Sequence, residues 1–240
     1  MTFTRILLLA VACLVTAKAD YLFLYSDPDN VAFRSSVSTI LGSPVAYVDA
    51  GSTTPSLAQL QAYQGVFTWV NQTLNDPTGL GNNLADYADQ GGRVVLGAFA
   101  TFTQGYALGG RIMTAGYLPV TSPSGGNYFA SAAYAGDGTG ALWNGVGSYN
   151  ATYRDKVVLQ GGGVLNGTFV DGSIAGAVNT AGNVVYLGGM ASTGTSGDAA
   201  RLLANALREP LTSNVPEPSS ILVLSSAGLV AIGVSRRRRR

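Results

Sequence analysis

Short apolar runs alternate with amphipathic segments along this chain, and the alternation limits the folds available to it. Runs typical of β-strands occupy residues 21–26, 45–48, 66–70, 93–98 and 183–187. Helical patterns separate the first four runs, and a last helix carries apolar side chains at Ala199, Leu202, Leu203, Ala206 and Leu207. That spacing buries one face of a helix. Strands that alternate with helices predict a parallel sheet with helices on both faces.

Capping and turn-forming residues mark the predicted helix ends. Asp27 and Pro28 follow the first strand, which predicts an N-cap at Asp27 with proline in the first turn. Gly42 is predicted to end this helix, and Thr54-Pro55 to begin the second. Each predicted strand is therefore followed by a loop that leads directly into a helix.

Residues 101–180 differ from the rest, because Gly, Ala, Ser and Asn dominate and no long apolar period occurs. Short strand-like runs lie at 156–160, 164–170 and 174–178. We predict one α/β domain, residues 20–211, with a flavodoxin-like or Rossmann-like parallel sheet and a β-rich insertion at about 101–180. Aromatic residues in the insertion could stack on sugars or be buried in the ordinary way: Tyr106, Tyr117, Tyr128, Phe129, Tyr134, Trp143 and Tyr149.

The first nineteen residues have the pattern of a secretory signal peptide. Arg5 precedes an apolar stretch, and Ala17 and Ala19 form an A-x-A site with cleavage expected before Asp20. Cys13 lies inside the apolar stretch, so the mature chain would contain no cysteine. Disulfides and thiol catalysis are then both excluded.

The chain ends in three consecutive segments. A polar linker at 212–220 contains Val215, Pro216, Glu217 and Pro218. The apolar run that follows predicts a transmembrane helix at 221–235, because a packed core cannot desolvate the arginines after it. Those arginines, predicted to form a basic cytoplasmic end that acts as a stop, are Arg236, Arg237, Arg238, Arg239 and Arg240.

These three segments together resemble the PEP-CTERM sorting signal of Gram-negative bacteria. The resemblance implies that Val215, Pro216, Glu217 and Pro218 form the sorting motif that a membrane enzyme, exosortase, recognises. It also implies an exported protein that meets signal peptidase and exosortase, passes transiently through the inner membrane by its C-terminal helix, and reaches the cell surface or the extracellular matrix.

The charge of the body differs from that of the whole chain. Residues 20–210 contain seven basic and twelve acidic side chains, so seven minus twelve leaves the body at −5. The net +1 of the full chain comes from its two ends. An acidic body that contains few lysines is not expected to bind nucleic acid.

Several stretches of the body resemble the class I glutamine amidotransferase-like superfamily. They are "LADYADQGGRVVLGAFA" at 84–100, "ALWNGVGSY" at 141–149, "FVDGSIAGAV" at 169–178, and "NVVYLGG" with "ARLLANAL" near the end. The resemblance implies a degenerate domain of that fold. Activity in the family requires a cysteine nucleophile after a strand with a histidine nearby, whereas here Ala98-Phe99-Ala100 follows the strand, with Ala98 assigned to the nucleophile position.

The residue inventory restricts the chemistry further. The chain has no histidine, so Ser-His-Asp, Cys-His and three-histidine zinc sites cannot form. We therefore predict a protein that is not an enzyme by the family mechanism, with no cofactor and no metal. An EF-hand calcium-binding loop beginning at Asp27 is excluded as well, because Ala32 and Ser38 occupy the positions where that motif requires Gly and Glu.

Polar side chains follow the first three predicted strands. Asp27 and Asp29 come after the first, Asp49 after the second and Asn71 after the third. Ligands of open parallel sheets bind at the carboxyl ends of the strands, so these four residues are the candidate ligand site. The alternative is that Asp27 caps its helix and the others are ordinary loop residues.

Three functional hypotheses follow from the sequence. The first is an exported surface or matrix protein whose non-catalytic domain binds a glycan or another small ligand. The second is a carboxylate-dependent hydrolase acting on exopolysaccharide. The third is an interaction module for another envelope protein. The acidic strand ends disfavour an anionic partner and leave a neutral, hydroxyl-rich one, such as exopolysaccharide, or a metal cation.

Overall fold

A computed structural model describes residues 19–208 of the chain, and these form a mixed α/β fold. The helices are α1 Val31–Leu41, α2 Leu57–Leu60, α3 Pro77–Asp89 and α4 Ala199–Leu207, with short 3-10 helices at Arg111–Met113 and Ala141–Trp143. The strands are β1 Ala19–Tyr25, β2 Val45–Asp49, β3 Tyr63–Thr68, β4 Arg93–Leu96, β5 Val120–Thr121, β6 Asn127–Tyr128, β7 Ala132–Ala133, β8 Tyr149–Ala151, β9 Arg154–Asp155, β10 Val158–Leu159, β11 Val164–Leu165, β12 Gly176–Val178, β13 Val184–Leu187 and β14 Thr195–Gly197.

The central sheet has seven strands in the order β11-β12-β13-β4-β3-β1-β2. Strands β2, β1, β3, β4 and β13 are parallel, with Leu22 of β1 level with Ala46 of β2 and Val66 of β3. The predicted central parallel sheet is confirmed, and the order of β2, β1, β3 and β4 is that of flavodoxin-like folds. Strand β1 lies between β2 and β3, so the strand order changes direction at β1: β2 is added on one side of it, and β3 and β4 on the other. Right-handed crossovers then place α1 on one face of the sheet and α2 and α3 on the other.

The far edge of this sheet departs from the prediction. Strands β12 and β11 add to β13 in antiparallel orientation. They lie within the stretch predicted as an insertion, so its C-terminal part extends the central sheet. The remaining insertion strands form three small sheets, β10-β5, β14-β8-β7 and β6-β9. Pairing between strands distant in sequence, such as β5 with β10, decides the three small sheets, and no local periodicity encodes it.

The core lies between the sheet and its helices. Phe23 of β1 and Phe67 of β3 are fully buried with their rings 5.3 Å apart, and Leu202 and Leu203 of α4 are buried beside them in the same cluster. Helix α4 packs on β3 and β4 and against α1. The apolar face that the sequence predicts for the last helix is therefore buried in the structure.

The predicted N-cap at Asp27 is wrong, because Asn30 caps α1. Its side-chain oxygen accepts a hydrogen bond from the Phe33 N–H at 3.1 Å, and its amide donates to the Ser192 carbonyl at 2.6 Å. An amide performs both tasks, whereas a carboxylate could only accept. Helix α1 ends as predicted, at Gly42 with a left-handed φ of 70°.

The second helix also begins slightly later than predicted. Ser56 is its N-cap and forms a reciprocal capping box with Gln59. The signal peptide, the sorting motif, the transmembrane helix at 221–235 and the arginine end all lie outside the described residues. Within residues 19–208, no helix is long and apolar enough to cross a membrane.

Candidate functional site

Two of the four predicted ligand residues, Asp27 and Asn71, meet between the carboxyl ends of β1 and β3. The Asn71 amide donates to both carboxylate oxygens of Asp27, at 3.1 and 3.3 Å. Beside this pair the Ser26 hydroxyl donates to the Gln72 carbonyl at 3.0 Å and accepts from the Gln72 N–H at 3.2 Å. These contacts join the two loops across the crevice where flavodoxin-like folds hold ligands.

The carboxylates of Asp29 and Asp49 are bonded to residues close to them in the sequence. Asp29 forms an ion pair with Arg34 at 2.7 Å. Asp49 accepts from the Gly51 N–H at 2.8 Å and from the Ser52 hydroxyl at 2.9 Å, which closes its own turn. Of the four predicted residues, the structure therefore brings together Asp27 and Asn71.

Tyr47 supports the loop after β1. Its hydroxyl donates to the Asp27 carbonyl at 2.6 Å. Burial, and then the nearby carboxylate of Asp49, raise the pKa of Tyr47 to about 12, so the phenol keeps its proton at neutral pH. A protonated phenol holds this loop as a hydrogen-bond donor.

The turn after β4 is the most strained point of the described backbone. Phe99 has a φ of 61°, and within residues 19–208 it is the single non-glycine residue with positive φ. The preceding residues are held by both neighbouring strand ends, because the Gly97 N–H donates to the Thr68 carbonyl at 2.9 Å and the Ala98 N–H to the Met190 carbonyl at 2.8 Å. The strained position is Phe99, whereas Ala98 is the residue that the sequence placed at the nucleophile position.

A buried carboxylate holds this turn in place. Asp155, 2% exposed, accepts from the Phe99 N–H at 2.9 Å, the Thr101 N–H at 3.0 Å, the Thr101 hydroxyl at 2.8 Å and the Asn127 amide at 2.7 Å. Burial raises the pKa of Asp155, and the hydrogen bonds from Thr101, Asn127 and Phe99 oppose that rise. Sequence reasoning missed Asp155, because it lies 56 residues from Phe99 along the chain.

Four aromatic side chains gather above the strained turn and form what we call the aromatic platform: Phe99, Phe102, Phe129 and Tyr153. The Phe99 ring lies 5.4 Å from Phe102, 6.2 Å from Phe129 and 5.5 Å from Tyr153 between centroids. Phe99 is buried, whereas Phe129 is 63% exposed. The platform therefore presents an aromatic surface to solvent at the carboxyl edge of the sheet.

The other insertion aromatics divide between core and surface. Tyr149 and Trp143 are buried, and the Trp143 ring stacks on Tyr134 at 3.8 Å between centroids. Tyr128 is 38% exposed and lies beside Phe129. The sequence had left both burial and sugar stacking open for this group, and the structure assigns different members to the core and to the surface.

A groove of about 350 Å³, called here the lysine groove, lies on the other face of the β6-β9 ribbon from the platform. Its lining includes Ser124, Tyr128, Lys156, Asp171 and Ser173. Arg154, with its side chain 3% exposed, supports the wall through a 2.7 Å ion pair with Asp171 and a hydrogen bond to Ser173. Its guanidinium also lies 5.0 Å from the centroid of the Tyr128 ring.

No metal centre stands out in the part of the chain that the structure describes. Within residues 19–208, no group of three or more His, Cys, Asp or Glu side chains is placed to hold a metal ion. The groups found at this edge are carboxylates, amides, hydroxyls and aromatic rings.

Comparison with known proteins supports two separate conclusions. The family described as "PEP-CTERM protein-sorting motif" matches residues 214–240, the segment that carries Glu217 and the terminal arginines. This match shows the sorting signal and supports an exported protein processed by exosortase. In sequence, no curated protein matches the chain.

Solved structures establish the fold. A cytoplasmic protein from Salmonella typhimurium has a TM-score of 0.56 at 12% identity, over 78% of this chain and 97% of that chain. A protein assigned to GMP synthase from Thermoplasma acidophilum has a TM-score of 0.52 at 9% identity, over 80% and 93%. A glutamine amidotransferase from Methylobacillus flagellatus is similar at a TM-score of 0.47 and 13% identity, over 71% and 68%. The described body shares the mixed α/β fold of the first two structures, and the likeness concerns the fold alone.

Proposed function

We propose that this chain is an exported, exosortase-sorted protein whose amidotransferase-like domain is non-catalytic and binds extracellular polysaccharide on the aromatic platform. The observation that carries the proposal is Phe99 at the strained turn after β4. In α/β hydrolases, a sharp turn after a central strand presents the nucleophile. Here the same kind of turn presents a benzyl group, which has no nucleophilic atom.

The surroundings of Phe99 also lack the partners that a nucleophile would need. The chain contains no histidine, and the mature chain is expected to contain no cysteine. The carboxylate within hydrogen-bonding distance, Asp155, is occupied by the Phe99 and Thr101 N–H groups, the Thr101 hydroxyl and the Asn127 amide. Asp155 therefore fixes the turn and is not free to act as a base.

The platform itself suits binding. Phe129 is exposed, so a ligand that covers its ring removes apolar surface from water, which favours binding. The neighbouring rings of Phe99 and Tyr153 hold the Phe129 ring in place. Packing against Phe102 and Tyr153 orders the ring before binding, which reduces the entropic cost of association. The C–H face of a sugar is a suitable partner for such a ring, and a polysaccharide is the ligand that an exported protein would meet.

The positions of the chain ends favour the same surface. Ala19 pairs with Tyr63 at the amino end of the sheet, and the Arg93 side chain at the start of β4 donates to the Ala206 carbonyl at 2.7 Å. The connection from α4 to the predicted sorting segment therefore leaves from the amino edge. The platform lies at the opposite, carboxyl edge of the sheet, so a connection at the amino edge does not cover it.

Affinity electrophoresis of the full chain in detergent tests the proposal, with dextran or polygalacturonate embedded in the gel. Wild type should be retarded, and Phe129→Ala should weaken binding about tenfold, the upper range for one aromatic contact. Val170→Ala is the matched control, because Val170 is an apolar side chain that is 68% exposed. The double variant Asp49→Ala, Asn71→Ala tests the strand-end residues and should bind as wild type does.

Two results would contradict the proposal. Absence of retardation in every gel would favour the interaction-module hypothesis, and equal retardation of wild type and Phe129→Ala would remove the platform as the site. Release of ammonia from glutamine by the purified chain would show that the domain is catalytic.

A further inference from the structure

We propose that the lysine groove binds the anionic group of an acidic sugar, a carboxylate or a sulfate ester, in a polysaccharide held on the aromatic platform. This inference rests on the proposed function and adds the charge class of the ligand. It reverses the expectation of a neutral partner, which was drawn from the acidic strand ends around Asp27 and Asp49.

Lys156 provides the anion-binding group. It is the single lysine among the described residues, and within that part of the chain no carboxylate forms an ion pair with it. Its ammonium lies 5.0 Å from the centroid of the Tyr128 ring, which positions the charge at the groove wall. An ammonium held this way has N–H donors left for a ligand.

The one carboxylate that lines the groove is already neutralised. Asp171 pairs with the buried guanidinium of Arg154 at 2.7 Å and accepts from the Ser173 hydroxyl at 2.7 Å. Arg154 is buried more deeply than its partner, since their side chains are 3% and 40% exposed. The Arg154–Asp171 pair is therefore neutral as a unit, and Lys156 is the charged group of the lining that has no ion-pair partner among the described residues.

Ser124, which also lines the groove, supplies a further donor. Its hydroxyl oxygen accepts from the Gly126 N–H at 3.3 Å, which leaves the hydroxyl hydrogen free to donate. An ammonium together with hydroxyl donors matches a carboxylate or sulfate oxygen flanked by other polar atoms of a sugar.

The groove and the platform lie on the two faces of one ribbon. Strands β6 and β9 pair, with Tyr128 opposite Arg154. Side chains alternate between the two faces of a strand, so Tyr128, Arg154 and Lys156 lie on one face of this ribbon and Phe129 and Tyr153 on the other. A polysaccharide that crosses the edge of the two-stranded ribbon can therefore contact both surfaces.

The experiment compares three polymers with the full chain in detergent: polygalacturonate for carboxylate, dextran sulfate for sulfate and dextran as the neutral reference. Lys156→Gln should weaken binding of one or both acidic polymers about fivefold, as for an exposed charge pair, and leave dextran unchanged. Lys156→Arg should retain the binding. Raising the salt concentration should weaken wild type on the acidic polymers alone.

Arg201→Gln is the control for net charge, because it removes one positive charge from helix α4. The inference is overturned if Lys156→Gln binds acidic polymers as wild type does, or if Arg201→Gln loses as much affinity as Lys156→Gln. In either case binding that still depends on Phe129 would leave the proposed function standing. Failure of wild type to bind any of the three polymers would overturn both.

Discussion

The buried carboxylate of Asp155 accepts a hydrogen bond from the backbone N–H of Phe99 at 2.9 Å, across 56 residues of sequence. This contact links the insertion to the central sheet at the turn where related folds place their chemistry. The other Asp155 oxygen binds the N–H and hydroxyl of Thr101, so one side chain fixes the turn at two positions. These hydrogen bonds hold the backbone of Phe99 at its unfavourable positive φ.

Replacement of Asp155 should therefore be costly. Asp155→Ala leaves the Phe99 and Thr101 N–H groups buried without an acceptor, and we expect a loss of about 3 kcal/mol in the free energy of unfolding. Asp76→Ala is the control, because it removes an exposed N-cap of α3 and should cost about 1 kcal/mol. Urea unfolding measures both, and a smaller loss for Asp155→Ala than for Asp76→Ala would contradict the role given to Asp155.

Stability should depend on pH through Asp171. Burial raises the pKa of Asp171, but hydrogen bonds from Ser173 and Arg154 outweigh this and leave the pKa below its usual value. A lowered folded-state pKa contributes stability that is present above the unfolded-state pKa of about 3.9 and is lost as the pH falls through the folded value. Thermal melts below pH 4 should show a shallower loss of Tm for Asp171→Asn than for wild type. Identical pH profiles for the two proteins would exclude this contribution.

Gly97 should tolerate no side chain. A Cβ there would overlap the carbonyl oxygen of Met190, which also accepts the Ala98 N–H, so the strand ends that support the turn would be forced apart. We expect Gly97→Ala to destabilise the fold by about 2 kcal/mol or more. Gly161→Ala is the control, since its Cβ would meet only the Ala115 Cβ at 3.7 Å. Chemical denaturation of the pair should show a change near zero for the control, and a stable Gly97→Ala protein would refute the contact.

The tail should control destination independently of the fold. Glu217→Ala, or replacement of the five terminal arginines, should impair processing and surface release, because both lie in the matched sorting motif. Glu209→Ala is the matched control, because it removes a glutamate outside the motif. Cell fractionation with immunoblotting measures processing, and normal processing of the Glu217→Ala protein would reject the sorting role of this residue.

Local patterns in the sequence were enough to predict the parallel sheet and the last helix. The runs at 21–26 and 66–70 became β1 and β3 because apolar side chains on both faces are stable only in a covered sheet. Helix α4 follows from the spacing of Leu202, Leu203 and Ala206. The sorting signal was recognisable because its parts are adjacent in the chain. Order along the chain also placed Asp27 and Asn71 at the same sheet edge, where they form a hydrogen bond.

Contacts between distant segments determined the remaining features. Asn30 replaces Asp27 as the helix cap because the Ser192 carbonyl, 162 residues away, needs a donor. The same holds for Phe99 and Asp155, for the pairing of β5 with β10, and for the contact of Phe129 with Tyr153. Periodicity and capping signals describe neighbours along the chain, and they carry no information about which polar groups must satisfy each other after distant strands pair. The candidate site is built from such pairings, so it emerged from the folded chain and not from its motifs.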